Sequence, residues 1–403
     1  MKLWQKVALG LILGIVFGVY LPNYVETVKP IGTIFLRLIK MVIHPLIFFS
    51  IVSGITSMTD SSSLGRVGTK SVFAFLGTTC FAVVFGLTVG LVLKPGDGVV
   101  IDFGVPQERN FSGGSFDFAQ LLVDVVPSNI VGAFADGNTI QVVFFAIFTG
   151  FVLNGMGSVS QPIKDGVQVT SKVTLRMITK VVELSPYGAF ALTAWVVGTQ
   201  GLEIMLSLSK LVLAVVVAMA LQYLIFGVFI MIFCRLSPIP FFKKSLDYQM
   251  VAISTGSSKA SLPATMQICR ERLGVSESST SFVLPLGAAI NMDGLAINLG
   301  LTTMFFAQMM GIDLQAQDYV LIILTSTLGS IGGAGIPGGS LIMLPLVLSS
   351  VNMPIEGVAI IAGIDRVLDL LRTAINITGD ATITLIIDST EGTLNRETYN
   401  SDK

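Results

Sequence analysis

The amino-acid sequence predicts an all-α membrane protein whose helices cross a lipid bilayer several times. Hydrophobic residues make up 52% of the 403 residues and charged residues only 12%, against roughly 25% charged residues in ordinary globular domains. The mean hydropathy is +0.81, and apolar runs of about 20 residues, the length that crosses a bilayer, recur along the chain. The net charge of −1 and the lack of an aromatic-rich basic cluster argue against a nucleic-acid partner.

Six transmembrane helices are predicted in the first part of the chain. They lie near residues 4–22, 32–58, 71–93, 119–154, 171–199 and 206–234. The second and fourth runs are too long for one straight crossing, so we expect these helices to tilt or break. The N-terminal run has the basic start of a signal peptide but no small-residue cleavage site, and we interpret it as the first transmembrane helix.

Two later segments have apolar arms around a helix-breaking centre. The first, residues 248–269, has a serine-rich centre with Pro263, and the second, residues 319–351, has a glycine-rich centre with Pro337. Irregular backbone is tolerated at membrane depth only where protein or a water-filled cavity satisfies its polar groups. We therefore predict two re-entrant hairpins, with ordinary glycine-kinked spans as the alternative.

A polar stripe interrupts the apolar pattern near the C-terminal end. Helical spacing places Asp369, Arg372, Thr373, Asn376 and Asp380 on one face. Charged residues at membrane depth are costly and usually mark a substrate or ion path. An Asp369–Arg372 salt bridge kept for packing is the alternative, but it leaves the other polar residues unexplained. The span at residues 282–306 carries a similar interruption, the sequence NMDG at residues 291–294.

Basic residues in the short loops predict the orientation of the chain. One side collects Lys2, Lys6, Arg66, Lys70, Lys164, Lys172, Arg235, Lys243, Lys244, Arg270, Arg272, Arg396 and Lys403. The other side holds Lys29, Lys94 and Arg109. Both termini are therefore predicted to be cytoplasmic. The tail from residue 391 to residue 403 is polar, and we expect it to be frayed.

Four motifs occur in a characteristic order. SSKASLP lies in the first predicted hairpin, NMDG in the span at residues 282–306, GGAGIPGG in the second predicted hairpin and DxxRTxxNxxGD in the helix with the polar stripe. With these motifs the chain resembles the dicarboxylate/amino acid:cation symporters, which include the excitatory amino acid transporters, in their prokaryotic form. The resemblance covers nearly the whole chain and is strongest after residue 240. It implies eight transmembrane helices plus two re-entrant helical hairpins, arranged as inverted repeats.

The resemblance implies a transporter and not an enzyme. Its expected activity is symport of an acidic amino acid, L-aspartate or L-glutamate, with Na+ by an elevator-type movement. A homotrimer in the cell inner membrane and the absence of an organic cofactor are also implied. Residues 1–70 and 119–205 would form the scaffold, residues 71–93 and 206–390 the transport domain, residues 94–118 an extracellular loop and residues 391–403 a cytoplasmic tail.

The resemblance also implies roles for individual residues. Arg372 matches the position that binds the side-chain carboxylate of the substrate, and its planar fork suits that contact. Asp369 matches the acceptor for the substrate ammonium group, and Asn376 matches a donor to its α-carboxylate. The other implied substrate contacts are Thr373, Ser258 and backbone amides around Gly333 to Gly335. The resemblance also implies two sodium sites made of oxygen ligands, which suit a hard cation. One site has Asp380 with backbone carbonyls near Gly287, Asn291 and Asn376. The other has Asp293 with the Asn291 side chain, Thr78 and Thr79.

Three positions need separate interpretation. Leu295 stands where the family usually has a threonine that contacts the substrate, which weakens the prediction of an acidic substrate. Lys259 replaces a small residue in the first hairpin, and it either snorkels to the surface or pairs with a site carboxylate. The lone histidine, His44, is interpreted as a packed scaffold residue hydrogen-bonded to a carbonyl.

The sequence leaves open a proton-coupled dicarboxylate symporter or a neutral amino acid symporter of the same family. Two other classes match less well. An intramembrane aspartyl protease would need a Gly-x-Gly-Asp pattern, whereas the residues that end at Asp380 are Ile-Thr-Gly-Asp. A channel would need a ring-forming selectivity motif, and no such motif stands out in the sequence.

Overall fold

The computed structural model describes residues 3–56, 65–98, 123, 125–201, 203–332 and 339–401. These ranges are predominantly helical and contain no β-strand. The helices of the first half are α1 (Leu3–Tyr20), α2 (Val25–Thr56), α3 (Gly65–Leu93), α4 (Ile130–Ala135), α5 (Thr139–Gly155), α6 (Gln161–Val182) and α7 (Ser185–Gln200). Those of the second half are α8 (Glu203–Phe229, continued by a π-helical turn at Ile230–Cys234), α9 (Ile239–Thr255), α10 (Ser258–Glu271), α11 (Glu277–Ile290), α12 (Asp293–Met309), α13 (Ala316–Gly332), α14 (Gly339–Ser350), α15 (Val358–Glu391) and α16 (Arg396–Asn400).

The two long runs of the first half depart from straight spans in different ways. Helix α2 is continuous over 32 residues, but its first part meets the end of α1 at an angle of 109°. The fourth run divides into α4 and α5, because Asn129 and Asn138 each accept hydrogen bonds from the N–H groups of the helix that follows. The rest of that run, residues 119–122 and 124, and most of the predicted loop, residues 99–118, lie outside the described residues.

In the first predicted hairpin segment, α9 and α10 contact each other on either side of a break, and its re-entrant course stays a prediction. Helix α9 ends at Gly256, which has a φ of +61°, a left-handed conformation that favours glycine. Ser257 then caps α10, since its Oγ accepts a hydrogen bond from the Ala260 N–H over 3.3 Å. The prediction that Pro263 belongs to the helix-breaking centre is wrong, because Pro263 lies inside α10.

The second predicted hairpin has α13 and α14 as its arms. Its glycine-rich centre, which includes Gly333, Gly335 and Pro337, lies outside the described residues. The predicted interruption at the NMDG motif is present: α11 ends at Ile290 and α12 begins at Asp293. Almost every residue of α12 is buried, so this break lies in the interior of the protein and not at its surface.

Four helical stretches of the described residues are long and apolar enough to cross a membrane: Arg66–Leu93, Met205–Cys234, Glu277–Met309 and Leu368–Glu391. Two bent pairs raise the number to six if each pair is one span: Leu9–Tyr20 with Pro22–Phe35, and Gly157–Val181 with Ser185–Thr199. These lengths and the high apolar content indicate a multi-pass membrane protein.

The helices pack in two groups that meet at α15. Helices α1 and α2 pack on α7, and α2 also contacts α5 and α6. Helix α3 instead packs along α12, where the side chain of Gln308 joins the two helices. Its Oε1 accepts from the Gly96 N–H and its Nε2 donates to the Gly90 carbonyl, each over 2.9 Å. Helix α15 contacts α1 and α7 of the first group and, in the second group, α3, α8, α9, α10, α11, α12 and α14.

The C-terminal segment is ordered as far as Ser401, and the expectation of a frayed tail is wrong. Tyr399 on α16 is buried, and its hydroxyl donates to the Ser237 carbonyl over 2.8 Å. Buried Lys244 on α9 donates to three backbone carbonyls, those of Arg272, Thr398 and Tyr399, over 2.7, 3.0 and 2.8 Å. These contacts attach α16 to both arms of the first hairpin.

Asp388, near the end of α15, holds the start of α11 in place. Its fully buried carboxylate accepts hydrogen bonds from the Ser276 N–H over 3.0 Å and from the Ser276, Ser279 and Thr393 hydroxyls over 2.5, 2.7 and 2.5 Å. A buried carboxylate with this many donors is well compensated for the loss of water. The contact fixes the register between α11 and α15, and with it the position of the NMDG break.

Candidate functional site

Arg372 is the most deeply buried large polar side chain on the stripe of α15. Its Nη1 donates to Asp365 Oδ1 over 2.7 Å, and its Nη2 donates to Asp369 Oδ1 over 3.1 Å. The Ser340 hydroxyl on α14 donates to the same Asp365 oxygen. The Asp369–Arg372 salt bridge considered as an alternative is therefore present, and a second carboxylate, that of Asp365, holds the guanidinium more closely.

The guanidinium opens onto a small pocket between the first hairpin, the NMDG break, α14 and α15. Its lining residues are Gly256, Ser257, Ser258, Met292, Leu295, Gly339, Ser340, Asp369, Arg372, Thr373 and Asn376. Polar side chains converge from two sides of this pocket, while Met292 and Leu295 form an apolar wall. The structure thus brings together five of the predicted substrate residues: Ser258, Asp369, Arg372, Thr373 and Asn376.

Asn376 connects the pocket to the NMDG break. Its Oδ1 accepts from the Gly294 N–H over 2.8 Å, which fixes the orientation of the amide group. Its Nδ2 is 3.0 Å from the sulfur of Met292, and a thioether is a weak acceptor. The amide N–H groups therefore retain capacity for a stronger acceptor in the pocket, such as a carboxylate.

A second cluster, made of oxygen-bearing side chains, lies around Asn291. Asn291 Oδ1 is 3.1 Å from Thr79 Oγ1 and 3.4 Å from Thr78 Oγ1 on α3. Thr79 Oγ1 is also 3.3 Å from Asp293 Oδ1, whereas Asp293 Oδ2 is buried without a hydrogen-bond partner. Buried carboxylate oxygens are rarely left without a partner, so this atom makes the cluster a candidate cation site.

Asp380 joins this cluster from α15. Its Oδ1 accepts from Asn291 Nδ2 over 3.0 Å, so one amide side chain lies between two buried carboxylates. Gly287 makes room for this approach, because a Cβ atom there would lie only 2.7 Å from Asp380 Oδ1. The structure therefore brings six residues of the predicted ligand set together: Thr78, Thr79, Gly287, Asn291, Asp293 and Asp380. The side chain of Asn376 lies in the neighbouring pocket, and the predicted contact of its backbone carbonyl stays a prediction.

The remaining predictions have mixed outcomes. Gly333 and Gly335 lie outside the described residues, so their predicted contacts stay predictions. His44 makes a hydrogen bond with the backbone of Gly137, as expected for a packed residue. Asp365 and Ser340 are the site residues without a predicted role. Asp365 lies about two helical turns before Arg372, and this i, i+7 spacing is the sequence feature that places the two side chains on one helix face.

In this multi-pass helical protein, two carboxylates hold a buried guanidinium beside a cluster of buried oxygen atoms. This arrangement is typical of a membrane transport protein for a charged solute and a cation. Comparison with known families agrees with this class. The model of the sodium:dicarboxylate symporter family matches residues 3–390. The chain belongs to this family, whose members are transport proteins and not enzymes.

Individual relatives cover almost all of the chain. A C4-dicarboxylate transport protein from Rhodospirillum rubrum is 32% identical over 98% of this chain and 90% of its own length. A proton/sodium-glutamate symport protein from Geobacillus stearothermophilus is 34% identical over 98% of this chain and 95% of its own length. A proton/glutamate-aspartate symporter from Bacillus subtilis is 31% identical over 96% of this chain and 94% of its own length. The relatives therefore differ in substrate at nearly equal similarity.

Proposed function

We propose that this protein is a secondary active symporter that takes up an acidic amino acid, L-aspartate or L-glutamate, coupled to Na+. The observation that carries the proposal is Arg372, a buried cation that opens onto a pocket with the carboxylate of Asp369 a few ångströms away. A guanidinium suits the side-chain carboxylate of the substrate. Asp369 then accepts from the substrate ammonium group, while Asn376 and Ser258 bind its α-carboxylate.

The oxygen cluster supports the proposed coupling to sodium. Asp293 and Asp380 would be costly as unneutralised charges in the interior, and Asn291 Oδ1, beside the hydroxyls of Thr78 and Thr79, adds a further oxygen. Oxygen ligands of this kind suit a hard cation. Because Asn291 and Asp293 lie in the same break as Met292, which lines the substrate pocket, an ion bound at the cluster would order one wall of that pocket.

The packing supports the proposed division into a scaffold and a moving transport domain. In the first group, α1 and α2 pack on α7, and α2 also contacts α5 and α6. Helix α3 instead packs on α12 within the second group. Under this proposal the chain has eight spans and two re-entrant hairpins, and it moves by the elevator mechanism. It would form a homotrimer in the cell inner membrane with both termini in the cytoplasm.

A second candidate is proton-coupled transport of a C4-dicarboxylate. The similarity of the chain, at 32% and 34% identity, to two proteins named as C4-dicarboxylate transport proteins favours it. The two candidates differ in their need for Asp369, since a dicarboxylate has no ammonium group. Asp369→Asn should abolish L-aspartate uptake under the first proposal and spare succinate uptake under the second.

Uptake of labelled L-aspartate into proteoliposomes, with sodium and proton gradients imposed separately, tests the leading proposal. We expect the sodium gradient to drive uptake by the wild type, and Arg372→Ala to weaken substrate affinity at least about tenfold, as expected for the loss of a charge-assisted contact. Arg176→Ala, at an exposed position on α6, is the control. Equal uptake by Arg372→Ala, or uptake driven by protons alone, would contradict the proposal.

A further inference from the structure

We propose a binding site for the headgroup of an anionic phospholipid at the base of the first hairpin, beside the C-terminal segment. A pocket there is lined by Ser237, Ile239, Pro240, Lys243, Lys244, Arg272 and Ser401. It lies apart from the transport site, and none of these residues has a role in the proposed transport function.

The charge of this pocket is positive. Its lining includes the basic residues Lys243, Lys244 and Arg272. The neighbouring acidic residue Asp247 forms an ion pair with Arg272. The ammonium of Lys244 donates to three carbonyls, which position it without cancelling its charge. Lys243 is exposed, and no ion pair to it occurs among the described residues, so its ammonium is available to an anion.

A hydroxyl group adds a donor to the same pocket. The Ser237 hydroxyl, in the lining, accepts a hydrogen bond from the Ile239 N–H at the start of α9 over 3.4 Å. An accepting hydroxyl retains its own proton for donation. The basic side chains and this hydroxyl together suit a phosphodiester.

The pocket opens next to an apolar surface, which favours a lipid over a soluble phosphate. Ile239, in the pocket lining, is 60% exposed, and Leu246 and Met250 are 56% and 66% exposed. The spacing 239, 243, 246, 250 places these three apolar residues on the same face of α9 as Lys243. Ile232 and Phe233, at the end of α8, are exposed as well. Basic pockets beside apolar membrane-facing surfaces are typical headgroup sites.

The test uses the purified full-length protein and native mass spectrometry after addition of phosphatidylglycerol or phosphatidylcholine. We expect phosphatidylglycerol to remain bound preferentially, and Lys243→Gln to weaken its binding about fivefold, the usual contribution of one basic residue near an anionic lipid. Lys172→Gln removes an exposed lysine from α6 and should leave binding unchanged. Ile239→Ser should weaken phosphatidylglycerol binding through the loss of the apolar contact.

Glycerol 3-phosphate is the matched soluble probe, because it has the phosphate group without acyl chains. Weak competition by this probe against phosphatidylglycerol would support a lipid site. The proposal is overturned if Lys243→Gln and Lys172→Gln bind phosphatidylglycerol equally well. It is also overturned if glycerol 3-phosphate binds as tightly as the lipid and Ile239→Ser has no effect, since the pocket would then be a site for a soluble phosphate. Neither readout depends on transport.

Discussion

Arg372 and Asp365 form a buried ion pair within a single helix, with Nη1 of the arginine 2.7 Å from Oδ1 of the aspartate. Both side chains are only 2% exposed. The Ser340 hydroxyl on α14 donates to the same oxygen, so the arm of the second hairpin is connected to the guanidinium through one carboxylate. The orientation of Arg372 in the pocket that it lines thus depends on Asp365, which is not a lining residue.

Asp365→Asn should raise the KM for the transported acid at least about tenfold, because a neutral amide replaces the carboxylate, so the ion pair is lost and Arg372 is less firmly oriented. Initial rates of uptake over a range of substrate concentrations measure this effect. Asp313→Asn, at an exposed position, is the control. An unchanged KM in Asp365→Asn would show that the ion pair does not position Arg372.

Asp380→Asn should raise the sodium concentration needed for half-maximal uptake at least about tenfold, since the substitution removes a negative charge from the oxygen cluster but can still accept the hydrogen bond from Asn291. The dependence of uptake on sodium concentration measures this. Asp313→Asn, at an exposed position outside the cluster, is the control here as well. Unchanged sodium dependence in Asp380→Asn would remove this residue from the proposed ion site.

Gly287→Ala should displace the carboxylate of Asp380. The added methyl group would lie 2.7 Å from Asp380 Oδ1 and 2.8 Å from the ring of Phe75, and overpacking of this kind typically costs about 1–3 kcal/mol. We expect weaker sodium dependence together with a lower thermal unfolding midpoint. In Gly77→Ala on α3 the new methyl group meets no atom within 4 Å, so that variant should keep its sodium affinity. Similar behaviour of the two variants would contradict the prediction.

Lys244→Met should destabilise the base of the first hairpin. The substitution leaves three backbone carbonyls without their donor, and each buried acceptor left unsatisfied costs about 1–3 kcal/mol. A lower thermal unfolding midpoint and faster proteolysis of the C-terminal segment are expected. Lys243→Met, at the neighbouring exposed position, serves as the control when no anionic lipid is present. Equal stability of the two variants would mean that α16 is held mainly by the buried ring of Tyr399.

Much of the site was predictable because its residues lie in short motifs with helical spacing. Asp369, Arg372, Thr373 and Asn376 recur at intervals of three and four, so a single helix brings them to one face. The position of the hairpin break was less accessible. Proline is the stronger helix breaker in general, yet it is Gly256, in a left-handed conformation, that ends α9, while Pro263 is accommodated in α10.

The C-terminal segment escaped prediction for a different reason. Its sequence is polar, and polar termini are usually frayed. Its contacts, however, are made by one buried aromatic ring and by backbone carbonyls that accept from a distant lysine. Backbone acceptors are present in every residue, so no sequence pattern indicates which of them will be used.

The sequence by itself determined the class of the protein, the break at the NMDG motif and the residues of the polar stripe, because hydropathy and helical periodicity are local properties of the chain. Only the tertiary structure decided that Asp365 orients Arg372, that Asn291 lies between Asp293 and Asp380, and that Lys244 holds the C-terminal helix. The Asn291 and Lys244 contacts join residues far apart in the chain, and even the local Asp365 contact depends on which face of α15 is buried. Such contacts are fixed by packing between helices, which local periodicity does not specify.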